Sequence, residues 1–125
     1  MLHHISFAVA DLPASARFYD AALAALGYRR VFEDDTAIGY GIEEGKDKFC
    51  LKLRSPAVAP GPGFHLAFAA PSRAAVDRFY AEALAVGGQD NGAPGLRPHY
   101  GPNYYAAFLI DPDGHRIEAV INEPV

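Results

Sequence analysis

His4 and His65 stand 61 residues apart in matching surroundings, each leading a run in which large apolar residues alternate with small ones. In HISFAVA, Ile5, Phe7 and Val9 fall on one side and His4, Ser6 and Ala8 on the other. In FHLAFAA, Phe64, Leu66 and Phe68 oppose His65, Ala67 and Ala69. A two-residue period belongs to a half-buried strand. If the apolar side packs on a helix, both imidazoles point the other way, beside small side chains that leave room for a pocket. Near the other end, Ile117, Ala119 and Ile121 alternate with Glu118 and Val120, which turns Glu118 to the same side. Two neutral imidazoles and a carboxylate form a facial triad suited to a divalent first-row metal, with positions left open for water or substrate. Taken singly, a strand histidine is commonly a rim residue and a strand glutamate is commonly solvated. Equivalent places in a repeat are what join the histidines, because a two-fold-related pair of strands brings equivalent positions together.

The repeat runs beyond the histidines. His4, Phe7, Arg17, Phe18, Tyr19, Leu23 and Gly27 recur as His65, Phe68, Arg78, Phe79, Tyr80, Leu84 and Gly88, and self-similarity at a fixed period reads as a duplicated unit. Each opening strand leads into a helix. Asp11 caps the first, with Pro13 in its first turn and a Tyr19, Ala22, Leu23, Leu26 stripe; Ser72 caps the second, with a Val76, Phe79, Tyr80, Ala83, Leu84 stripe. Glycines stop both. Strands over Tyr28–Phe32, Ala37–Ile42 and Lys48–Arg54 complete the first copy, with polar turns between them. In the second, NGAPGLRPHYGPN (91–103) reads as a loop, after which Tyr104–Ile110 and Arg116–Ile121 form a hairpin around DPDG. SPAVAPGPG is a proline-stiffened linker. The expected plan is one domain over 1–125, with βαβββ modules at 1–54 and 64–125 and a linker at 55–63.

Composition narrows the class. A chain of 125 residues, 50% hydrophobic and 21% charged, is one ordinary globular unit. A net charge of −4 with no Lys/Arg cluster argues against nucleic acid. One cysteine, Cys50, excludes an internal disulfide and fits a reducing compartment. No stretch reads as a signal peptide or as the roughly 20 apolar residues of a membrane span. The expectation is a cytoplasmic protein with a small-molecule substrate and no nucleic-acid or membrane partner.

At this point the residues carry a resemblance. HISFAVADLPASARFYDAALAALGYRRV, FHLAFAAPSRAAVDRFYAEALAVGG and YYAAFLIDPDGHRIEAV together resemble the vicinal oxygen chelate superfamily. That group includes glyoxalase I, extradiol dioxygenases, fosfomycin-modifying transferases and bleomycin-resistance proteins. The chain is most similar to its small glyoxalase/bleomycin resistance members. The resemblance implies an α+β fold whose tandem modules form a curved, barrel-like mixed sheet around a pocket, and commonly a homodimer. It implies one divalent metal ion (Fe, Mn, Zn, Ni or Co) and carries the metal positions onto His4, Lys52, His65 and Glu118. Lys52 departs from the pattern, since glyoxalase I-like enzymes have a carboxylate there and an ammonium offers no lone pair. The remaining His4/His65/Glu118 set resembles the three-ligand arrangement of the dioxygenases and fosfomycin transferases. Phe108 stands where the dioxygenases carry a tyrosine.

The other candidates follow from neighbourhood. Arg97, His99, Tyr100 and Tyr105 lie in or beside the Pro/Gly-rich segment and are expected to line the pocket. Lys52 shares the histidines' side of its strand and could attract an anionic group of the substrate. Cys50 is expected to be a buried, inert thiol, His3 a peripheral residue turned away from His4, and His115 an exposed turn residue. Two functions remain open: a metal-dependent enzyme acting as a Lewis acid on a small oxygen-bearing substrate, or a metal-free small-molecule-binding protein of the bleomycin-resistance type. A degenerate homologue with a vestigial pocket is a third.

Overall fold

The computed structural model describes residues 1–125. Its first module contains β1 (Ile5–Val9), α1 (Leu12–Ala24), β2 (Arg29–Glu33), β3 (Ala37–Gly41) and β4 (Asp47–Leu53). Its second contains β5 (Leu66–Ala69), α2 (Arg73–Leu84), β6 (Gln89–Leu96), β7 (Tyr104–Ile110) and β8 (Arg116–Asn122). The fold is α+β, built from two βαβββ modules. Each helix starts as its sequence dictates: the Asp11 side chain accepts from the Ala14 N–H at 3.0 Å, and the Ser72 hydroxyl from the Ala75 N–H at 3.0 Å.

The strands form two four-stranded sheets, ordered β1-β4-β3-β2 and β5-β8-β7-β6. In each, the opening strand runs parallel to the closing one and the remaining pairs are antiparallel. β1 and β5 are free edges, so the sheets stay separate and do not join into one barrel-like sheet. The helix-bearing faces of both modules instead share one core of 23 residues. Phe7 meets Phe64 with ring centroids 6.2 Å apart, and Phe49 meets Phe68 at 5.3 Å. Phe7 and Phe49, fully buried, each contribute roughly 1.5–3 kcal/mol of burial, and the partly buried Phe64 and Phe68 less. The opposite faces, bearing Ser6, Ala67 and Ala69, are exposed.

Two expectations need correction here. Residues 91–96 are not loop: β6 runs to Leu96, paired irregularly with β7. Gly92, at φ +146°, permits the register shift, and Pro94 is tolerated because β6 is an edge strand. His115 is not exposed. It is 2% exposed, stacked on Phe7 at 4.1 Å, and its Nε2–H donates to the Ala8 carbonyl at 2.9 Å. The DPDG turn that carries it is pressed against β1 and α1. Asp113 accepts from the Ala10 N–H (2.9 Å) and the Ser15 hydroxyl (3.0 Å), while Asp111 accepts from the Tyr19 hydroxyl at 2.6 Å. Contacts between modules thus bury Asp111 and His115 at the two ends of a turn whose composition alone reads as solvated.

Candidate functional site

Glu118 is the centre of the polar residues on the second module's open face. It lies mid-strand in β8, paired with Ala67 of β5 on one side and Phe108 of β7 on the other. The glutamate is 1% exposed, and an ionised side chain so placed needs partners on both oxygens. Oε2 accepts a hydrogen bond from the Tyr104 hydroxyl, and Oε1 lies 2.8 Å from Nε2 of His65. Burial raises the Tyr104 phenol above its ordinary pKa, and the carboxylate it bonds adds to that. His65 immediately precedes β5, with its side chain about half exposed (52%).

His65 Nε2 and Glu118 Oε1 are 2.8 Å apart, in direct hydrogen-bond or ion-pair contact. Imidazole and carboxylate are both donor types that a divalent ion takes. His4 is not brought to them. It precedes β1 on the other module, exposed, with its Nδ1 2.8 Å from Nδ1 of His3. His3 is therefore a direct neighbour of His4 and not turned away from it. Within one chain no group of three or more His, Cys, Asp or Glu is placed to hold an ion.

The register of the two sheets also moves the carried-over fourth position. Ser6 and Ala67 are equivalent in the repeat, and Ala67 pairs with Glu118 while Ser6 pairs with Cys50. Lys52 pairs with Ala8, as Val120 pairs with Ala69. The first module's counterpart of Glu118 is therefore Cys50, and Lys52 lies one strand repeat further along, half-buried on the same face. The Cys50 thiol donates to Asp47, whose side chain occupies space left by Gly39; a Cβ there would come 2.7 Å from the Asp47 Cβ. Burial, then the Asp47 bond, pushes the thiol up to about 11. The same bond pulls Asp47 below its ordinary value, with His4 and His3 adding to the effect.

Arg97, His99 and Tyr100 line a cavity with Phe108, Asn91 and Gly92, and Tyr100, Asn91 and Phe108 continue into a second cavity containing His65. Tyr105 does not join them. Its hydroxyl donates to Asp77 of α2 at 2.6 Å, and the Arg73 guanidinium covers its ring, which sets it on the helix side of the sheet. Tyr104 is the residue that sequence reasoning missed. Strand parity could have found it, because Tyr104, Ala106 and Phe108 pair with Asn122, Val120 and Glu118 and so share Glu118's face.

Comparisons with known proteins agree with this architecture. The profile of the Glyoxalase/Bleomycin resistance protein/Dioxygenase superfamily matches residues 1–119. The chain is 34% identical to the uncharacterized protein YqjT of Bacillus subtilis (strain 168), covering 95% of this chain and 97% of that one. It superposes with a TM-score of 0.80 and 34% identity on a glyoxalase/bleomycin resistance protein from Albidiferax ferrireducens T118, over 94% of each chain. A glyoxalase-related enzyme from Fulvimarina pelagi gives a TM-score of 0.75 at 26% identity, over 98% of this chain and 88% of that one. No helix of this chain is long and apolar enough to cross a membrane. The profile match over nearly its whole length, joined to the tandem βαβββ plan, shows that the chain belongs to the glyoxalase/bleomycin resistance/dioxygenase superfamily.

Proposed function

We propose that the chain is a metal-dependent enzyme acting on a small oxygen-bearing substrate, and that it works as a homodimer. His65 and Glu118 of one copy and His4 of a second copy hold the ion. The observation that carries this reading is Glu118, a fully buried carboxylate on the sheet face opposite Ile117 and Ala119, with Oε1 set beside an imidazole nitrogen. The free β1 and β5 edges favour the dimer, because unpaired backbone N–H and C=O groups there can be paired by another chain. Bringing one copy's first module beside the other's second module would join their open faces around a common pocket.

A divalent ion at these residues supplies Lewis acidity toward substrate oxygens. The chain's own residues do the rest. Tyr104 fixes the Glu118 carboxylate through Oε2 and leaves Oε1 for the ion. Phe108 and Tyr100 line the cavity beside His65 with aromatic surface. Lys52 and Cys50 bring a cation and a neutral thiol to the other wall.

The second reading, a metal-free binding protein, is favoured by the separation of His4 from the His65–Glu118 pair within one chain. One experiment separates the two. Tag-free protein, purified without chelator, is analysed for bound metals, alongside His4→Ala, His65→Ala and Glu118→Ala, with sedimentation of each. The enzyme reading expects about one ion per chain in a dimer, lost in all three variants. Metal that persists after His65→Ala/Glu118→Ala, or a monomer at tens of micromolar that still holds its ion, overturns it.

A further inference from the structure

Arg97 is held in place before any ligand arrives. Its Nη1 donates to the Gly95 carbonyl at 2.9 Å and its Nη2 to the Ala93 carbonyl at 2.7 Å, while the guanidinium lies 5.3 Å from the Phe108 ring centroid. Gly92 makes this possible: a Cβ there would come 3.0 Å from Phe108 Cδ1 and 3.2 Å from Arg97 Nη2. The backbone is anchored as well, with the Arg97 N–H donating to the Tyr104 carbonyl at 2.7 Å. A guanidinium has five N–H donors, so two backbone bonds leave others available to a ligand. No carboxylate of the chain pairs with it. The acid of the preceding strand β6, Asp90, accepts from the Tyr80 hydroxyl and the Gly92 N–H.

Position gives this cation a use. Phe108 has Arg97 over its ring and the His65 ring 6.3 Å away. Asn91, Tyr100 and Phe108 line both the cavity that holds Arg97 and the adjoining one that holds His65. A ligand lying across Phe108 would therefore have one end at His65, whose Nε2 meets Glu118 beneath it, and the other at Arg97. The floor is aromatic and suits a flat, apolar body. The far end is a fork of N–H donors matched to a carboxylate.

We infer that Arg97, Phe108 and Tyr100 form an anion-anchoring subsite, and that the substrate is a planar aromatic or conjugated carboxylate. The inference rests on reading His65 and Glu118 as the reactive end of the same pocket. The two carbonyl bonds hold the half-buried guanidinium in one place, which lowers the entropy cost of ordering the side chain on binding.

The test uses benzoate and its neutral isostere benzamide as probes, titrated calorimetrically into wild type, Arg97→Met and Arg97→Lys. Each protein is studied after chelator treatment and after addition of Mn²⁺, with Mn²⁺ binding followed separately by electron paramagnetic resonance. Wild type should prefer benzoate over benzamide. Arg97→Met should lose roughly tenfold or more in benzoate affinity with benzamide unchanged, and Arg97→Lys should recover part of the loss. Equal binding of the two probes to wild type, or benzoate binding untouched in Arg97→Met, overturns the subsite. If circular dichroism shows Arg97→Met unfolded, wild-type preference and the Arg97→Lys value decide. Arg97-dependent benzoate binding without Mn²⁺ binding would remove the metal reading and keep the anchor; the reverse pattern would remove the anchor alone.

Discussion

Cys50 and Glu118 occupy equivalent places in the two modules: Cys50 faces Ser6 across β1 and β4 as Glu118 faces Ala67 across β5 and β8. The duplicated frame thus carries a carboxylate on one side and a thiol on the other. Burial and the bond to Asp47 push that thiol up to about 11, and Lys52 works in the opposite direction. Little thiolate exists at neutral pH, and the thiolate is the nucleophile. Alkylation of Cys50 by iodoacetamide at about pH 8 should be roughly a hundredfold slower than in the unfolded chain. Lys52→Met should slow it further, because a favourable charge is removed. Mass spectrometry over a time course reads both; alkylation at the unfolded rate would contradict the buried thiol.

Tyr104 bonds the oxygen of Glu118 that His65 does not meet. Tyr104→Phe keeps the ring and leaves that buried oxygen without its donor, a loss of about 1.5–3 kcal/mol when the acceptor is charged. Urea denaturation should show it. In the metal-bound form, the freed carboxylate can rotate, and Mn²⁺ affinity should fall about 10–100-fold as for other partners of ligating groups. Stability that falls with Mn²⁺ affinity unchanged would leave Tyr104 a purely structural residue.

Much of this was legible in the chain. Alternation in HISFAVA and FHLAFAA, with the 61-residue repeat, gives both opening strands and their buried faces, because a pleat leaves no other assignment once one side packs on a helix. Glu118's side of β8 follows from the same rule. Relations between modules were not legible. His115 sits in a turn that composition marks as exposed, yet Ala8 and Phe7 of the other module cover it. Sequence spacing does not record strand register: the pairing of Ser6 with Cys50, as Ala67 pairs with Glu118, puts Cys50 and not Lys52 at the position equivalent to Glu118. The separation of His4 from His65 depends on which faces of the modules meet, and two modules of the same plan can meet in more than one way.

His115 joins the modules by a ring stack and one hydrogen bond, and the two can be separated. His115→Phe retains a flat ring against Phe7 but leaves the Ala8 carbonyl without the Nε2–H donor. An unsatisfied buried carbonyl costs about 1–3 kcal/mol. His115→Ala loses the stack as well and opens a cavity, so its loss should be larger. Equal denaturation midpoints for the two variants would show that the stack contributes nothing.

Asp111 sets a pH dependence on the same junction. It is 3% exposed, and burial raises its pKa above the ordinary 3.8, against the opposing effects of the Tyr19 bond, the His115 charge and the His115 and Asp113 N–H donors. The folded state then holds the Asp111 proton more tightly than the unfolded one. Its favourable contribution is complete below about pH 3.8 and is lost as pH rises through the folded value. Asp111→Asn removes the titration; its one oxygen keeps the His115 and Asp113 N–H donors, and its amide NH2 faces the Tyr19 oxygen, which can accept from it. Other carboxylates titrate alike in both proteins, so the stability difference between them isolates Asp111. Measured by urea unfolding from about pH 3.5 to about pH 6.5, wild type should be most favoured over Asp111→Asn at the acid end, with the advantage shrinking as pH rises. A difference that grows with pH would mean that the hydrogen bonds to Asp111 outweigh its burial, and that the turn is held by a charge and not despite one.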